Sequence, residues 1–247
     1  MDPPDLIPDE RFPPPLSDDD TEGRDADQWR IFGCRHGCVL FFNRTRNEID
    51  PLTGDHRAVA VPVELVDEVK MIWNGAVLCA AAGDRGHVHG GFSSCTFKAV
   101  LVGITSDNTQ VFTGSYSWET GQWHVVSTGV PFLVYYVRDP GILVGNALYW
   151  MPLGPEHGGI LEFDLDRRTL AVIEWPPGAD APEIHCQILR TEDGSLGFAI
   201  LSTQSLQLWE LGKEGVAEWV LWKTEKLYKI LGMQSETEVR PSDARIL

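Results

Sequence analysis

Gly145–Pro177, GNALYWMPLGPEHGGILEFDLDRRTLAVIEWPP, decides the fold. Ala147–Met151 is an apolar run opened by a glycine, and Gly158-Gly159 breaks it. Leu161, Phe163 and Leu165 then alternate with Ile160, Glu162 and Asp164, the period-two pattern of a half-buried strand. Asp166–Thr169 is a polar turn, and Leu170–Trp175 is a third strand. Pro176-Pro177 ends it, because proline has no N–H for a ladder. A three-stranded meander cannot bury both faces alone, so it needs copies on either side.

The copies are present. Glycine-opened apolar strands start at Gly37, Gly75, Gly145 and Gly194. Hairpins with polar turns span Asp50–Val61, Val111–Val126, Leu161–Trp175 and Leu206–Trp222. Their turns recur at about 67, 47 and 46 residues, close to the period of a four-stranded propeller blade. The long interval contains a Gly/His/Ser loop, His87–Ser94, so it holds one blade with an insertion or two degenerate blades. Glycine suits the inner strand, where blades crowd the axis. Aromatics such as Trp123, Trp175, Trp209 and Trp219 suit the wider gap outside, and nine Trp against five Tyr suggest a repeated Trp position. The expected fold is therefore an all-β propeller with about four recognisable blades, kelch-like in type, in preference to a large β-sandwich. Residues 1–28 read as an acidic, proline-rich arm, 29–231 as the propeller, and 232–247 as a polar tail. The best helix candidate is Glu225–Leu231.

A net charge of −16 argues against nucleic acid or an anionic membrane as partner, since both need a positive footprint. No apolar run approaches the ~20 residues of a membrane span, and MDPPDLIPDE does not read as a targeting peptide. Five cysteines, Cys34, Cys38, Cys79, Cys95 and Cys186, are an odd number in a chain of this size. They read as reduced thiols, which points to cytoplasm or nucleus.

Gly33–Pro62 resembles the first blade of plant F-box-associated β-propellers, with Asp50-Pro51-Leu52-Thr53-Gly54 standing in the family's turn. Leu189–Thr224 is similar to their late blade, through Asp193-Gly194-x-Leu196, Leu208-Trp209-x-Leu211 and Trp219-x-Leu221. The likeness covers roughly residues 29–231 and is strongest to the grass-type set. It implies a non-catalytic domain that recognises a protein destined for ubiquitination by a cullin–RING ligase. The family's N-terminal F-box, which binds a Skp-type adaptor, is not visible in residues 1–28, so adaptor binding is not expected of this chain. Only Ile49 precedes the Asp50 turn where the family has several apolar residues. After Leu231 the family continues with another blade where this chain reads MQSETEVRPSDARIL, which leaves ring closure open.

Residue chemistry supplies no competing site of comparable weight. Cys34 and Cys38, with His87, His89 and Cys95, have the elements of a zinc set. A strand beginning at Gly37 would separate the two cysteines, and no metal or cofactor is expected. Glu119, Glu162, Asp164 and Asp166 are the acids a propeller glycosidase would need. Glu162 and Asp164 read instead as a solvated strand face, where burial cannot raise a carboxyl pKa. The Asn43-Arg44-Thr45 sequon is read as unused, because no secretion signal precedes it. Partner-binding residues are expected on the loops that lead into the glycine-opened strands: Arg35-His36, Trp73-Asn74, Asn146 and Glu192-Asp193. The alternatives are a glycoside hydrolase and a truncated paralogue with no independent function.

Overall fold

The computed structural model describes residues 29–35, 38–52, 58–66, 70–79, 97–130, 136–137, 140–153, 158–179, 185–212 and 218–232. Four four-stranded sheets follow one another along the chain. The first is β1 (Trp29–Arg35), β2 (Cys38–Asn43), β3 (Glu48–Leu52) and β4 (Val59–Ala60). The second is β5 (Lys70–Cys79), β6 (Phe97–Thr105), β7 (Gln110–Ser117) and β8 (Gln122–Gly129). After the short strand β9 (Tyr136–Val137) comes the third: β10 (Ile142–Val144), β11 (Ala147–Trp150), β13 (Gly159–Asp164) and β14 (Thr169–Glu174). Between β11 and β13, β12 (Pro152–Leu153) pairs with β9. The fourth sheet is β15 (His185–Arg190), β16 (Leu196–Leu201), β17 (Ser205–Leu211) and β18 (Trp219–Lys226). Each sheet keeps its strands in chain order, the meander of a propeller blade. The chain is all-β and propeller-like, and the four hairpins expected from sequence are the third and fourth strands of the four sheets. The long repeat interval is one blade, with residues 80–96 between β5 and β6 outside the described residues.

Chain contacts group into two compact units, Met1–Gly103 with Thr113–Val125, and Ile104–Phe112 with Val126–Leu247. In the first unit, β1 and β5 approach within 8 Å between Cα atoms. In the second, β10 and β15 do the same. This is closer than the ~10 Å of face-to-face sheets, so within each unit the blades converge on their first strands. Glycine permits the approach. A Cβ on Gly75 would lie 2.8 Å from the Val100 carbonyl oxygen and 3.0 Å from Cδ2 of Phe32.

The second strand of each sheet carries the core. Leu40, Leu101, Leu148 and Phe198, one on each, are fully closed to solvent. On β11 and β13, Tyr149 and Ile160 face a cluster shared with Ile188, Phe198 and Ile200 of the fourth sheet. Leu148, Trp150, Leu161 and Phe163, on the other face, are buried as well. The half-exposed strand expected at Ile160–Leu165 is therefore corrected to one buried on both faces. Glu162 and Asp164 are half-buried and not a solvated face.

A repeated tryptophan ties blade to blade. Trp123, near the start of β8, donates its indole N–H to the Ala60 carbonyl at the end of β4, at 3.1 Å. Trp219, the first residue of β18, donates to the Glu174 carbonyl at the end of β14, at 2.7 Å. Both acceptor residues stand two before a proline, Pro62 and Pro176, which stops the strand.

The expected C-terminal helix shortens to α1 (Leu227–Ile230), with Leu227 buried against Leu201 and Ile230 exposed. Asp50 and Pro51 belong to β3, opposite Phe41 and Leu40, and are not a turn. Cys34 is exposed and Cys38 buried. Asn43 is buried, and its Oδ1 accepts the Thr45 and Arg46 N–H groups at 3.0 Å. Its Nδ2, the atom a glycan would need, is closed to solvent. No helix among the described residues is long and apolar enough to cross a membrane.

Candidate partner-binding turns

The expected site residues separate into three groups. Arg35 is half-buried at the end of β1, opposite Cys38. His36 lies outside the described residues. Trp73 and Asn74 are not on a loop, because β5 runs unbroken through Gly75. Asn74 is buried, and its Oδ1 accepts the Gly75 N–H at 2.7 Å. Gly75 reads in sequence like the start of a strand. In the structure it marks the point where β5 crosses the Val100 backbone and the Phe32 ring.

Asn146 and Glu192-Asp193 do occupy turns, each joining the first and second strands of its sheet. Gly145-Asn146 closes β10 to β11, with the last pair at Val144 and Ala147. Gly145 has φ +58°, while Asn146 keeps a negative φ, as in a two-residue II′ hairpin. Asn146 is exposed. Its carbonyl accepts the Leu165 N–H at 3.0 Å, which brings the β13–β14 turn alongside.

That second turn carries two exposed cations missed in the sequence, Arg167 and Arg168. Asp164 Oδ1 accepts the N–H groups of Asp166 and Arg167 at 2.9 and 2.8 Å. Arg168 takes φ +54° to close the turn. Arg167 reaches Asp164 Oδ2 at 3.5 Å while its side chain stays 82% exposed. The β2–β3 turn repeats this construction with Asn43 as acceptor and Asn47 at φ +51°. The Asx residues Asn43 and Asp164, each at the end of an apolar strand-like run, were the signal available in the sequence.

The β15–β16 turn is built differently. Thr191 Oγ1 donates to Asp193 Oδ1 at 2.5 Å and accepts the Ser195 N–H at 2.9 Å. Ser195 Oγ donates to Asp193 Oδ2 at 3.3 Å, and the Gly194 N–H reaches the Thr191 carbonyl with φ +84° at the glycine. Glu192 and Asp193 are both exposed, and of the two Asp193 is engaged in shaping the turn.

Two of the four carboxylates read as hydrolase candidates, Glu162 and Asp164, have structural tasks, while Glu119 and Asp166 are exposed. Tyr149 donates its hydroxyl to Glu162 Oε1 at 2.7 Å, and Asp164 holds its turn. Burial, with the adjoining Glu162, raises the Tyr149 hydroxyl well above the usual tyrosine range. Burial also pushes the Cys186 thiol up to about 11.

Tyr116, Trp118 and Trp123 form a half-buried aromatic group. Tyr116 meets Trp118 edge-on at 5.4 Å and Trp123 at 5.2 Å, at the β7–β8 hairpin. Trp123 reads in sequence as an aromatic of the outer gap, and the structure adds Tyr116 and Trp118 beside it. Such rings, packed yet partly accessible, are the usual anchors of protein interfaces.

No family model matches the chain, and no curated protein matches it. A crystal structure of a protein from Lactobacillus plantarum is similar to the chain at a TM-score of 0.40, with 12% identity over 76% of this chain. The match covers 54% of that protein, so the chain spans about half its length.

Proposed function

We propose that this chain is a non-catalytic protein-binding propeller that recognises its partner with the blade-end turns at Asn146, Arg167-Arg168 and Glu192. The observation that carries the reading is the construction of these turns. Each is fixed by its own hydrogen bonds, yet presents a polar or charged side chain to solvent. A rigid turn spends little conformational entropy when a partner binds. The engagement of Glu162 and Asp164 in structural hydrogen bonds supports the same reading over a hydrolase.

Within that reading, the resemblance to F-box-associated propellers suggests the role of substrate receptor in a cullin–RING ubiquitin ligase, in plant cytoplasm or nucleus. Direct recruitment to a Skp-type adaptor is not part of the proposal.

Affinity capture from plant extract tests it, comparing the wild type with an Asn146→Arg/Glu192→Arg double variant. A defined protein set recovered by the wild type and lost from the variant is expected. Identical recovery by both, or none by the wild type, would contradict the proposal. Glycan-cleaving activity that disappears in Glu162→Ala would favour the hydrolase instead.

A further inference from the structure

Among the described residues, β18 is the edge strand on which large apolar side chains are exposed in a row. Val220, Leu221 and Trp222 are 55%, 45% and 55% accessible. Burial in the sheet's own core accounts for Trp219, which lies on the Phe198 ring, but not for the next three. The strand also carries a bulge. Trp209 pairs with Leu221 and Leu208 with Lys223, so Trp222 is an extra residue between them. Beyond the bulge, Lys223 and Glu225 lie on one face and pair at 3.3 Å.

An edge strand offers unpaired backbone groups to another strand. We propose that β18 pairs antiparallel with β18 of a second copy of this chain, about a two-fold axis through Thr224. An isologous contact requires the sequence to complement itself when reversed. Centred on Thr224, it does over Trp222–Lys226, the span before α1 begins at Leu227: Lys223 stands opposite Glu225 of the second copy, and Glu225 opposite its Lys223. The two intrastrand ion pairs then merge into an alternating cluster of four charges, and Trp222 falls opposite Lys226 of the second copy, where a cation can sit over the indole.

Neighbouring registers do worse. Centring on Lys223 or Glu225 sets a like charge opposite itself, and centring on Trp222 leaves both charges without an opposite ion. The local charge permits contact. Lys223, Lys226 and Lys229 against Glu218 and Glu225 give Glu218–Gly232 a net +1, in a chain of net −16. The rest of that charge is damped beyond a Debye length of about 8 Å at physiological salt. A contact of this length falls below the roughly 800 Å² per partner of a standard interface, so association depends on concentration.

Sedimentation velocity on the full chain, over roughly a hundredfold range of concentration, tests the pairing. The wild type is expected to pass from monomer to dimer. Lys223→Glu and Glu225→Lys each place like charges opposite one another, and each is expected to remain monomeric. An equimolar mixture of the two variants restores both opposite pairs and is expected to dimerise again, as is the double charge swap K223E/E225K. Unfolding curves matching the wild type show that the variants are folded. A wild type that stays monomeric at every concentration overturns the proposal. So does a dimer that both single variants leave unchanged, or a mixture that fails to regain it. A monomer in which the β18 amides facing away from β17 resist hydrogen exchange also overturns it, because another segment of the chain would then occupy the edge.

Discussion

Trp219 Nε1–H and the Glu174 carbonyl, 2.7 Å apart, join the outer strands of the third and fourth sheets. Trp123 and Ala60 make the same bond between the second and first. A bond that recurs at the same place in two blade pairs is a construction rule of the fold. Trp219→Phe keeps most of the ring packing on Phe198 and removes only the donor, leaving a carbonyl without its partner. We expect a loss of about 1 kcal/mol in urea unfolding. Trp219→Ala removes the ring too and should cost more.

Glycines differ in what they make possible, and two substitutions separate the cases. In Gly75→Ala the new methyl meets the Val100 backbone oxygen at 2.8 Å, which cannot swing away as a side chain can. About 1–3 kcal/mol of overpacking cost is expected. In Gly145→Ala there is open space around the new methyl, and the cost arises from φ +58° alone, about 1–2 kcal/mol. Hydrogen exchange distinguishes the two. Gly75→Ala should loosen β5 and β6, and Gly145→Ala should loosen only the ends of β10 and β11.

Acid should weaken the β6–β7 turn. The Thr105 hydroxyl, with the Thr109 side chain and backbone N–H, holds the Asp107 carboxyl below its ordinary range. A depressed folded pKa contributes stability above the unfolded value, and that contribution disappears as pH falls through the folded value. NMR titration should find the Asp107 carboxyl protonating at lower pH than an ordinary exposed aspartate. Asp107→Asn should lower stability at neutral pH and flatten the acid limb of the stability curve.

Alkali should act on Tyr149. Its hydroxyl is raised by burial and by Glu162, so the folded state keeps the proton when the unfolded chain has lost it. The associated stability is full below about pH 10 and declines as pH rises further. Spectrophotometric titration should show Tyr149 ionising after the exposed tyrosines, in step with unfolding. Tyr149→Phe should remove that part of the alkaline decline.

Third- and fourth-strand hairpins were legible in the sequence because alternation and turn residues are local signals. Leu161–Trp175 became β13 and β14, with Phe163 opposite Leu170 and the ladder reaching one residue further into the expected turn, to Thr169. The first strands were not legible. β10 has only Ile142–Val144 to show, too short for a pattern, and β5 was divided at a glycine whose role depends on Val100, distant in the chain. The same distance effect hid part of the candidate site. Asn146 could be read as a turn residue, but the arginines beside it come from the β13–β14 turn and are brought there by the Leu165 N–H bond. Asp193 was selected correctly as a turn residue, yet its two oxygens serve Thr191 and Ser195, a use that composition does not reveal.

Recognition through one end of the blades is tested most directly by photo-crosslinking in plant extract. A photoreactive amino acid is placed at Asn146, at Glu192, or at Gln204 in the β16–β17 turn at the other end of the fourth sheet. One common protein adduct is expected from positions 146 and 192 and none from 204. Adducts from 204 alone, equal labelling from all three, or no adduct from any position would contradict it.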